Sequence, residues 1–478
     1  MPEKKAQNII HPILPILFLL GMILYGLVLR PYVFNQSSIP LEIIFISASF
    51  FSASHLWYLG YSWDTLINNA VKKLTKGLPT ILILFAIGMV IGSWIVSGII
   101  PMFVYYGIKL INPSYIYVLA FIIPIFFSLF TGTSWGSVGT IGVVIFGVAT
   151  VINAHLPIVA GAIIGGAYFG DKLSPLSDTT NMAALATDVD LYDHINSMLY
   201  ATLPSAIIAS IIYIGLGSLY PPTSTAGDFT KLETTLMDIS FIFNFHILLL
   251  LPILIVLIGS YKRWPTIPVL LSSSLVACIL ALLFQAYSFA DVVQSVYKGF
   301  HTDMVNNPNI VVPENISALF NRGGLYSLVD AIITALFVFL FIGLLDTINA
   351  IPIIVEKVFA FAKNRTAVIL SSLTATGITN AMTGNQYATS FIVGEAFKSK
   401  YDTLGINRKV LSRSLEDYGT MIESIIPWHP TALFMVSVMG IPVGEYWCWQ
   451  LLSLINLLIA PLLAIMGIGC FYIVKEDR

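Results

Sequence analysis

The sequence predicts an all-α polytopic membrane protein, built as an inverted repeat with two re-entrant helical hairpins, two broken transmembrane helices and about ten full spans. Three observations carry this prediction. Apolar runs of membrane-spanning length recur along the chain, as in Ile13–Leu29 and Ile81–Ile100. Of the 478 residues, 57% are hydrophobic and only 10% are charged, whereas a soluble domain carries about 25% charged residues. Polar residues also gather in a few stretches inside the apolar runs, which indicates breaks in the spans.

Basic residues orient the first predicted helices. These helices cover Ile13–Leu29, Leu41–Leu59 and Thr80–Gly98, and a polar loop at Gly60–Leu78 precedes the third. The N-terminus and this loop carry Lys4, Lys5, Lys72, Lys73 and Lys76. Since basic segments stay in the cytoplasm, we expect the N-terminus inside. Lys475 follows the last predicted helix and places the C-terminus inside as well.

Matching glycines and prolines divide the chain into four regions. Residues 1–78 form N-terminal helices, 79–219 the first repeat, 220–324 connecting helices and extracellular segments, and 325–478 the second repeat and the C-terminal helix. The first repeat is marked by Gly88, Pro101 and Gly132. At similar spacing, the second is marked by Gly343, Pro352 and Gly384. The charge pattern runs the two copies in opposite directions, which is typical of secondary transporters.

Each repeat contains a segment that predicts a hairpin dipping into the membrane. The first is centred on Thr131–Gly142 (TGTSWGSVGTIG), and the second lies within Thr366–Phe397. In both, a Thr-Gly pair is followed by hydroxyl and amide residues, and an aromatic residue occupies a comparable place, Trp135 in one and Tyr387 in the other. A helix interrupted by polar residues follows each hairpin.

The stretch Gly161–Asn181 (GAIIGGAYFGDKLSPLSDTTN) predicts the first broken helix. Its glycine-rich start suits close packing in a membrane, and Pro175 then interrupts the helix because it lacks an N–H and disfavours helix at Ser174. A break frees backbone carbonyls, and oxygen ligands suit a hard cation. The alternative is an ordinary polar loop at a helix end.

The candidate site residues fall into two groups. The cation-binding group, with Na+ at Asp178 and its neighbours, is Thr131, Thr133, Ser134, Ser137, Ser174, Ser177, Asp178, Thr179 and Asn181. The substrate or coupling group is Thr383, Asn385, Gln386, Thr389, Asp417, Glu423, His429, Asp346 and Asp171.

Ionisable residues at membrane depth need a partner, a proton or an ion. Asp178 has no adjacent cation, so Na+ or a proton is its expected partner. Asp171 has Lys172 beside it and is open to a structural ion pair with Lys172 or Arg413. Asp346 is expected deep in a helix. For Asp417 and its neighbour Glu416, the alternative is a solvated position at a cytoplasmic helix end, and for His429 it is a structural role.

Several functional classes are disfavoured. The net charge of −2 gives no reason to expect nucleic acid, and the three cysteines form neither a metal motif nor a disulfide framework. No GxxxxGK[ST] motif is present, which disfavours ATP-driven pumping. We expect no cofactor, with Na+ and H+ acting as coupling ions. An intramembrane enzyme and a channel stay as weaker alternatives, because no motif frames a nucleophile and broken inverted repeats favour alternating access.

Three motifs carry a resemblance to a known family. The segments are GTSWGSVGTIG (Gly132–Gly142), AGAIIGGAYFGDKLSPLSDTTNMAA (Ala160–Ala184) and SRSLEDYGTMIESIIPW (Ser412–Trp428). The chain resembles the NhaC-type sodium/proton antiporters, a family that includes sodium-coupled malate/lactate antiporters. The resemblance covers nearly the whole chain. It departs at His429, where we expect asparagine, and at Glu423, where we expect a neutral residue.

The resemblance implies the ion transporter superfamily fold and an elevator motion against a scaffold. It implies a secondary transporter in a prokaryotic plasma membrane, exchanging Na+ for H+. The alternative is a Na+- or H+-coupled transporter of organic acids or amino acids. The expected partners are the lipid bilayer and a small ion or small organic substrate, and a homodimer is possible.

Overall fold

The computed structural model describes residues 10–110, 112–222, 229–305, 316–317 and 320–473. Helices are the regular elements of these residues, apart from a single antiparallel bridge between Ile406 and Tyr472. Within them, 8 helices are long and apolar enough to cross a membrane, or up to 10 if each of two bent pairs is one span. The predicted all-helical membrane class is therefore confirmed.

Nine helices, α1 to α9, lie in the part of the chain before residue 220. They are α1 (Ile10–Leu29), α2 (Leu41–Tyr58), α3 (Trp63–Val96), α4 (Ile99–Leu110), α5 (Ile116–Thr131), α6 (Ser134–Val151), α7 (Leu156–Leu173), α8 (Asp178–Ala186) and α9 (Leu191–Leu219).

Eleven helices, α10 to α20, follow. They are α10 (Phe229–Ile242), α11 (Leu251–Tyr261), α12 (Thr266–Phe284), α13 (Phe289–Tyr297), α14 (Val329–Asp346), α15 (Ala350–Val358), α16 (Arg365–Thr383), α17 (Gln386–Thr403), α18 (Arg408–Asp417), α19 (Pro430–Met439) and α20 (Leu451–Met466). The two bent pairs turn by 93° between the segments that form α10 and α11, and by 87° after α19.

Helix α3 corrects one predicted loop. The segment predicted as a loop over Gly60–Leu78 is helical from Trp63 onward, and the Ser62 side chain caps it by accepting the Thr65 N–H at 3.2 Å. The reason is amphipathicity. Leu66 and Ala70 are buried, and α3 packs on α14, while the basic residues at 72 and 76 face outward. The boundary drawn between residues 78 and 79 falls inside this helix.

Glycines let α5 and α7 lie unusually close together. A Cβ at Gly166 would stand 2.0 Å from the Phe121 carbonyl oxygen, and one at Gly170 would stand 2.4 Å from that of Ile125. Small residues four apart on one helix face allow such contact in membrane proteins. The glycine-rich start of the first broken helix therefore packs closely, as predicted, and positions the acidic end of α7.

The buried side chains form two hydrophobic cores. One contains most of α3 to α7 with α12 and α19, and the other contains α1, α2, α14 and the helices from α16 to α18. Each core therefore holds one of the predicted hairpins. The inverted relation of the two halves stays a prediction. The lysines at 4, 5 and 475, on which the cytoplasmic placement of both termini depends, lie outside the described residues.

Candidate functional site

The first predicted break lies between α7 and α8. Helix α7 ends at Leu173 and α8 begins at Asp178, and both Ser174 and Ser177 in the break are fully buried. The Ser174 hydroxyl donates to the Leu129 carbonyl (2.8 Å), and Ser177 caps α8 by accepting the Thr180 N–H (3.4 Å). Buried caps distinguish this break from a solvated loop at a helix end.

The second break separates α18 from α19 and is longer. It runs from Tyr418 to His429, with a short 3-10 turn over Thr420–Ile422. His429 caps α19, because its Nδ1 accepts the Thr431 N–H at 3.2 Å. This break carries a buried carboxylate, Glu423, inside the non-helical segment.

The two hairpin tips share their construction. Helix α5 ends at Gly132 (φ +65°) and α16 ends at Gly384 (φ +57°), both in the left-handed conformation that glycine adopts at least cost. Across the tips, the hydroxyls of Thr131 and Ser137 are 3.2 Å apart, and those of Thr383 and Thr389 are 2.9 Å apart. Two unrelated loops would not be expected to repeat the same glycine and the same hydroxyl spacing.

The next residues also correspond. Thr133 caps α6 and Asn385 caps α17, each accepting a backbone N–H three residues on. Trp135 stacks on Phe434 of α19 at 4.6 Å between ring centroids. The Tyr387 hydroxyl donates to the Asp178 carboxylate at the start of α8. Each tip thus contacts the broken helix of the other half through its aromatic residue.

Both tips, the second break and the helix ends on either side of the first break line one cavity of about 180 Å³. The hairpins and broken helices supply its polar wall, with three carboxylates on Asp171, Asp178 and Glu423. Helices α3 and α12 supply the opposite wall with threonine and aliphatic side chains, namely Thr80, Ile83, Ile87, Thr266 and Leu270. The predicted approach of the two tips to the broken helices is confirmed, whereas their depth in a bilayer stays a prediction.

The cavity brings together half of the candidate residues. Those that line it are Thr133, Ser134, Asp171, Asp178, Thr179, Asn385, Gln386, Glu423 and His429. The others do not line it, and they are Thr131, Ser137, Ser174, Ser177, Asn181, Thr383, Thr389, Asp417 and Asp346. Most of these hydroxyls and amides instead bond within their own tip or break, as Asn181 does with the Pro175 carbonyl at 3.0 Å.

The carboxylates are distributed differently from the expectation. Lys172 pairs with Asp417 rather than with Asp171, and both partners are fully buried. Asp417 is therefore not solvated at a cytoplasmic helix end, and neither is Glu416, which is 0% exposed. Basic residues at the start of α18 favoured a solvated position for the whole helix. The residues from Val410 to Asp417 are nevertheless buried inside the protein.

Asp171 holds the first hairpin tip. Its Oδ2 accepts the backbone N–H of Ser134 at 3.0 Å, and the hydroxyls of Ser134 and Ser177 lie beside the carboxylate. Its other oxygen, Oδ1, is buried and makes no hydrogen bond of normal geometry with a described residue. Asp171 therefore has a positioning contact and a free oxygen, and no cationic side chain of the described residues forms an ion pair with it.

Two further acids lie in more open places than expected. Asp178 is exposed at the rim of the cavity, where Tyr387 is its partner. Asp346 was expected deep in a helix, but it is the last residue of α14, its side chain is 48% exposed and it pairs with Lys73 at 3.2 Å. The extension of α3 brings Lys73 to it, which the sequence pattern of separate helices did not indicate.

Comparison with known proteins agrees with this architecture. The model of the Na+/H+ antiporter family matches residues 166–468, which include α8, both breaks and the second hairpin. The chain belongs to the Na+/H+ antiporter family. It is 38% identical over 431 residues to an uncharacterised Na+/H+ antiporter of Haemophilus influenzae, covering 90% of this chain and 92% of that one. Family membership makes it a secondary transporter and not an enzyme.

Other members of the family differ in what their names say they carry. The chain is 34% identical over 457 residues to the Na+/H+ antiporter NhaC of Alkalihalophilus pseudofirmus, with 95% of each chain covered. It is 33% identical over 463 residues to a malate-2H+/Na+-lactate antiporter of Bacillus subtilis, covering 96% of this chain and 95% of that one. The resemblance found in the sequence is confirmed.

A polar network joins the second tip to the second break. Glu423 accepts from the Thr431 hydroxyl (2.8 Å) and the Asn380 amide (3.3 Å). His429 Nε2 lies 3.9 Å from Glu423 and 3.4 Å from the Asn380 oxygen, and Thr389 donates to that same oxygen. Glu423 and His429 are thus one connected pair facing the cavity.

Sequence reasoning missed several residues of the site. Asn380, Thr420 and Thr431 were not singled out, and Glu416 was given a solvated alternative. A signal existed for Glu416, since Glu416-Asp417 follows the second tip much as Asp171-Lys172 follows the first. Among the described residues, no group of three or more His, Cys, Asp or Glu side chains is arranged to hold a metal ion. Any cation here would rely on hydroxyl, amide or carbonyl oxygens as well.

Proposed function

We propose that the chain is a Na+/H+ antiporter that works by alternating access of the elevator type. The observation that carries the proposal is the lining of the cavity. Three carboxylates face it together with hydroxyl and amide groups, and neither Lys nor Arg is among the described residues that line it. Such a lining attracts a small cation or protons, and it offers no counter-charge to an anion.

The carboxylates also suit exchange. A carboxylate that can hold either Na+ or a proton, but not both, couples the two ions because each must leave before the other binds. Asp178 at the rim is the first ligand that an entering cation meets, and Glu423 with His429 offers a place for a proton. We infer that Na+ binds at Asp178 and its neighbours, with Glu423 and His429 taking part in coupling.

The division of the cavity walls supports the elevator motion. The acidic groups all lie on the hairpins and broken helices, while α3 and α12 supply the facing wall. Sliding the first set along the second would carry the ion site across the membrane as a unit. A single cysteine at Thr133, with Cys278, Cys448 and Cys470 replaced by serine, should react with a membrane-impermeant thiol reagent from either side. Labelling from one side only, under both gradient directions, would contradict alternating access.

An organic anion is the second candidate, and Arg263 favours it. A neighbouring cavity of about 450 Å³ shares Thr133, Asp178 and Thr266 with the first, and Arg263 lines it. A guanidinium can bind a carboxylate in two-point fashion. Here it donates to the Pro175 carbonyl at 3.3 Å, which engages it in the first break.

Proteoliposomes distinguish the candidates. The purified protein is reconstituted with a pH-sensitive dye inside, and an outward or inward Na+ gradient is imposed with and without malate or lactate. We expect Na+ alone to drive proton movement. Proton movement that requires malate or lactate and is lost in Arg263→Gln would favour the organic acid candidate. Absence of any gradient-driven flux would overturn both.

A further inference from the structure

Three buried oxygen atoms in or beside the cavity make no hydrogen bond of normal geometry with a described residue. They are Oδ1 of Asp171, Oε1 of Gln386 and Oε1 of Glu416. The three residues are 4%, 4% and 0% exposed, respectively. A buried acceptor without a donor is costly, and three of them on elements that meet at one cavity call for a shared positively charged ligand.

Contacts of the second half bring Gln386 and Glu416 together. Gln386 Nε2 donates to the Leu415 carbonyl at 2.8 Å, which is the residue before Glu416. Gln386 Oε1 lies so close to Gly419 that a Cβ there would stand 2.2 Å from it. The Gln386 amide is therefore fixed along the end of α18, and glycine at 419 leaves the space for it.

Contacts of Thr420 and Asp171 tie this cluster to the cavity. The Thr420 hydroxyl donates to Glu416 Oε2 at 2.7 Å, and Thr420 lines the cavity beside Asp171 and Gln386. Asp171 and Glu416 also interact electrostatically across the junction of the two halves. The free oxygens thus come from α7, α17 and α18: Asp171 and Gln386 line the cavity, and Glu416 is joined to it through Thr420.

The local charge favours a cation. Asp417 is engaged by Lys172 and lies 3.7 Å from the Arg413 guanidinium. These two bases face Asp171, Glu416 and Asp417, and two further acids, Asp178 and Glu423, interact electrostatically with this group, so the acids outnumber the bases. The C-terminal ends of α7 and α18 point here and add partial negative charge. Oxygen ligands suit a hard cation.

We propose that Asp171, Gln386 and Glu416 form an inner cation site that takes Na+, deeper than Asp178 at the rim. The choice of Na+ rests on the proposed function. The site itself rests on the orphaned oxygens, on their burial and on the contacts that assemble them. An ion entering at Asp178 would move inward to this second position, with the tips of both hairpins around it.

Equilibrium binding of radioactive Na+ to the detergent-purified full-length protein tests the site without any gradient. Glu416→Gln keeps the shape and the Thr420 contact but removes the charge. We expect it to weaken Na+ binding by about tenfold or more, because ligand charge sets cation affinity. Asp346→Asn, at an exposed acid away from the cavity, is the matched control and should bind Na+ as the wild type does. Wild-type affinity in Glu416→Gln would overturn the proposal.

A second variant keeps the test decisive if Glu416→Gln does not fold. Gln386→Glu adds a charge at the same position and should tighten Na+ binding, whereas unchanged or weaker binding in a folded variant would overturn the inner site.

The proposed antiport and the proposed inner site are contradicted by different results. Na+ binding that needs Glu416 without Na+-driven proton flux would refute antiport alone. Flux in the wild type with normal Na+ binding in Glu416→Gln would refute the inner site alone.

Discussion

The two halves of the molecule have similar hairpin tips but place their acidic residues differently. Both tips end a helix at a left-handed glycine, pair two hydroxyls and send an aromatic residue to the other half. In the first half, the tip offers a backbone N–H, and the acid that receives it, Asp171, stands on a regular helix. In the second half, the tip offers the Gln386 side chain, and the acid Glu423 lies within the break itself.

This difference assigns the halves different capacities. A short break of four residues, capped by two buried serines, holds its acids in fixed positions. A longer break with a 3-10 turn leaves Glu423, His429 and Asn380 in a network of side chains, whose protons and partners can rearrange. We propose that the short first break fixes the position of the rim ligand Asp178, and that the longer second break, with Glu423 and His429, exchanges the proton.

The largest expected effect is the loss of coupled transport when Asp178 is replaced, and replacement of Asp171 is compared with it. Asp178→Asn should abolish coupled transport and leave the protein folded, because an amide oxygen can still accept from Tyr387. Asp171→Asn should weaken Na+ binding at the inner site and should also lower thermal stability, because it places an amide N–H₂ among buried groups. Flux in proteoliposomes and melting in detergent measure the two effects. Asp188→Asn, at an exposed acid after α8, is the control for the flux measurement. Retained Na+-dependent transport in Asp178→Asn at several pH values would place the ion site elsewhere.

The next effect concerns the ion pair that joins the halves. Lys172→Met or Asp417→Asn should each cost about 3–5 kcal/mol, because the first leaves Asp417 with only Arg413 at 3.7 Å and the second leaves buried Lys172 without its partner. The double variant should recover much of that loss, since both charges are then gone. Denaturation in mixed detergent compares the three variants with the wild type. A double variant that is as unstable as the sum of the singles would show that the two residues do not act as a pair.

The tip glycines should differ in their tolerance of a side chain. Any L-residue in the left-handed region costs about 1–2 kcal/mol. A Cβ at Gly132 would also stand 2.6 Å from the Leu176 side chain and 2.7 Å from its backbone, whereas one at Gly384 meets Pro430 at 3.2 Å. Gly132→Ala should therefore lower the melting temperature more than Gly384→Ala. Equal losses would mean that the first break yields as easily as the second.

The smallest effect concerns the exposed ion pairs of Asp188 with Lys398 and Arg408, in contrast to the buried pair of Lys172 and Asp417. Hydrogen bonding from Lys398, aided by its charge and by Arg408, lowers the pKa of Asp188. Because the folded-state pKa lies below the unfolded one, the stabilisation is present above the unfolded pKa and is lost as pH falls through the folded pKa. Asp188→Asn should destabilise slightly at neutral pH and not at all in strong acid. A melting series over pH, at low and high salt, checks this, and a salt-independent loss would contradict a surface ion pair.

Much of this comparison could be predicted from the sequence because it depends on local chemistry. Pro175 and its serines predicted the first break, and the two Thr-Gly pairs predicted both tips. The sequence could not predict pairings between distant segments. Nothing adjacent to Lys172 indicated Asp417 as its partner, and nothing adjacent to Asp178 indicated Tyr387. Glu416 resembles a solvated residue beside its basic neighbours until the packing of α18 shows that it is buried.

The central claim is that Na+ and protons compete for carboxylates in one cavity. Proton release on Na+ addition to the purified, weakly buffered protein tests it most directly. With a pH indicator dye in solution, we expect Na+ to release protons in a saturable manner, while choline chloride at the same ionic strength releases none. Asp178→Asn should release fewer. The titration covers about pH 6 to 9, which begins near the ordinary pKa of histidine. Na+ binding without proton release anywhere in this range would contradict the account.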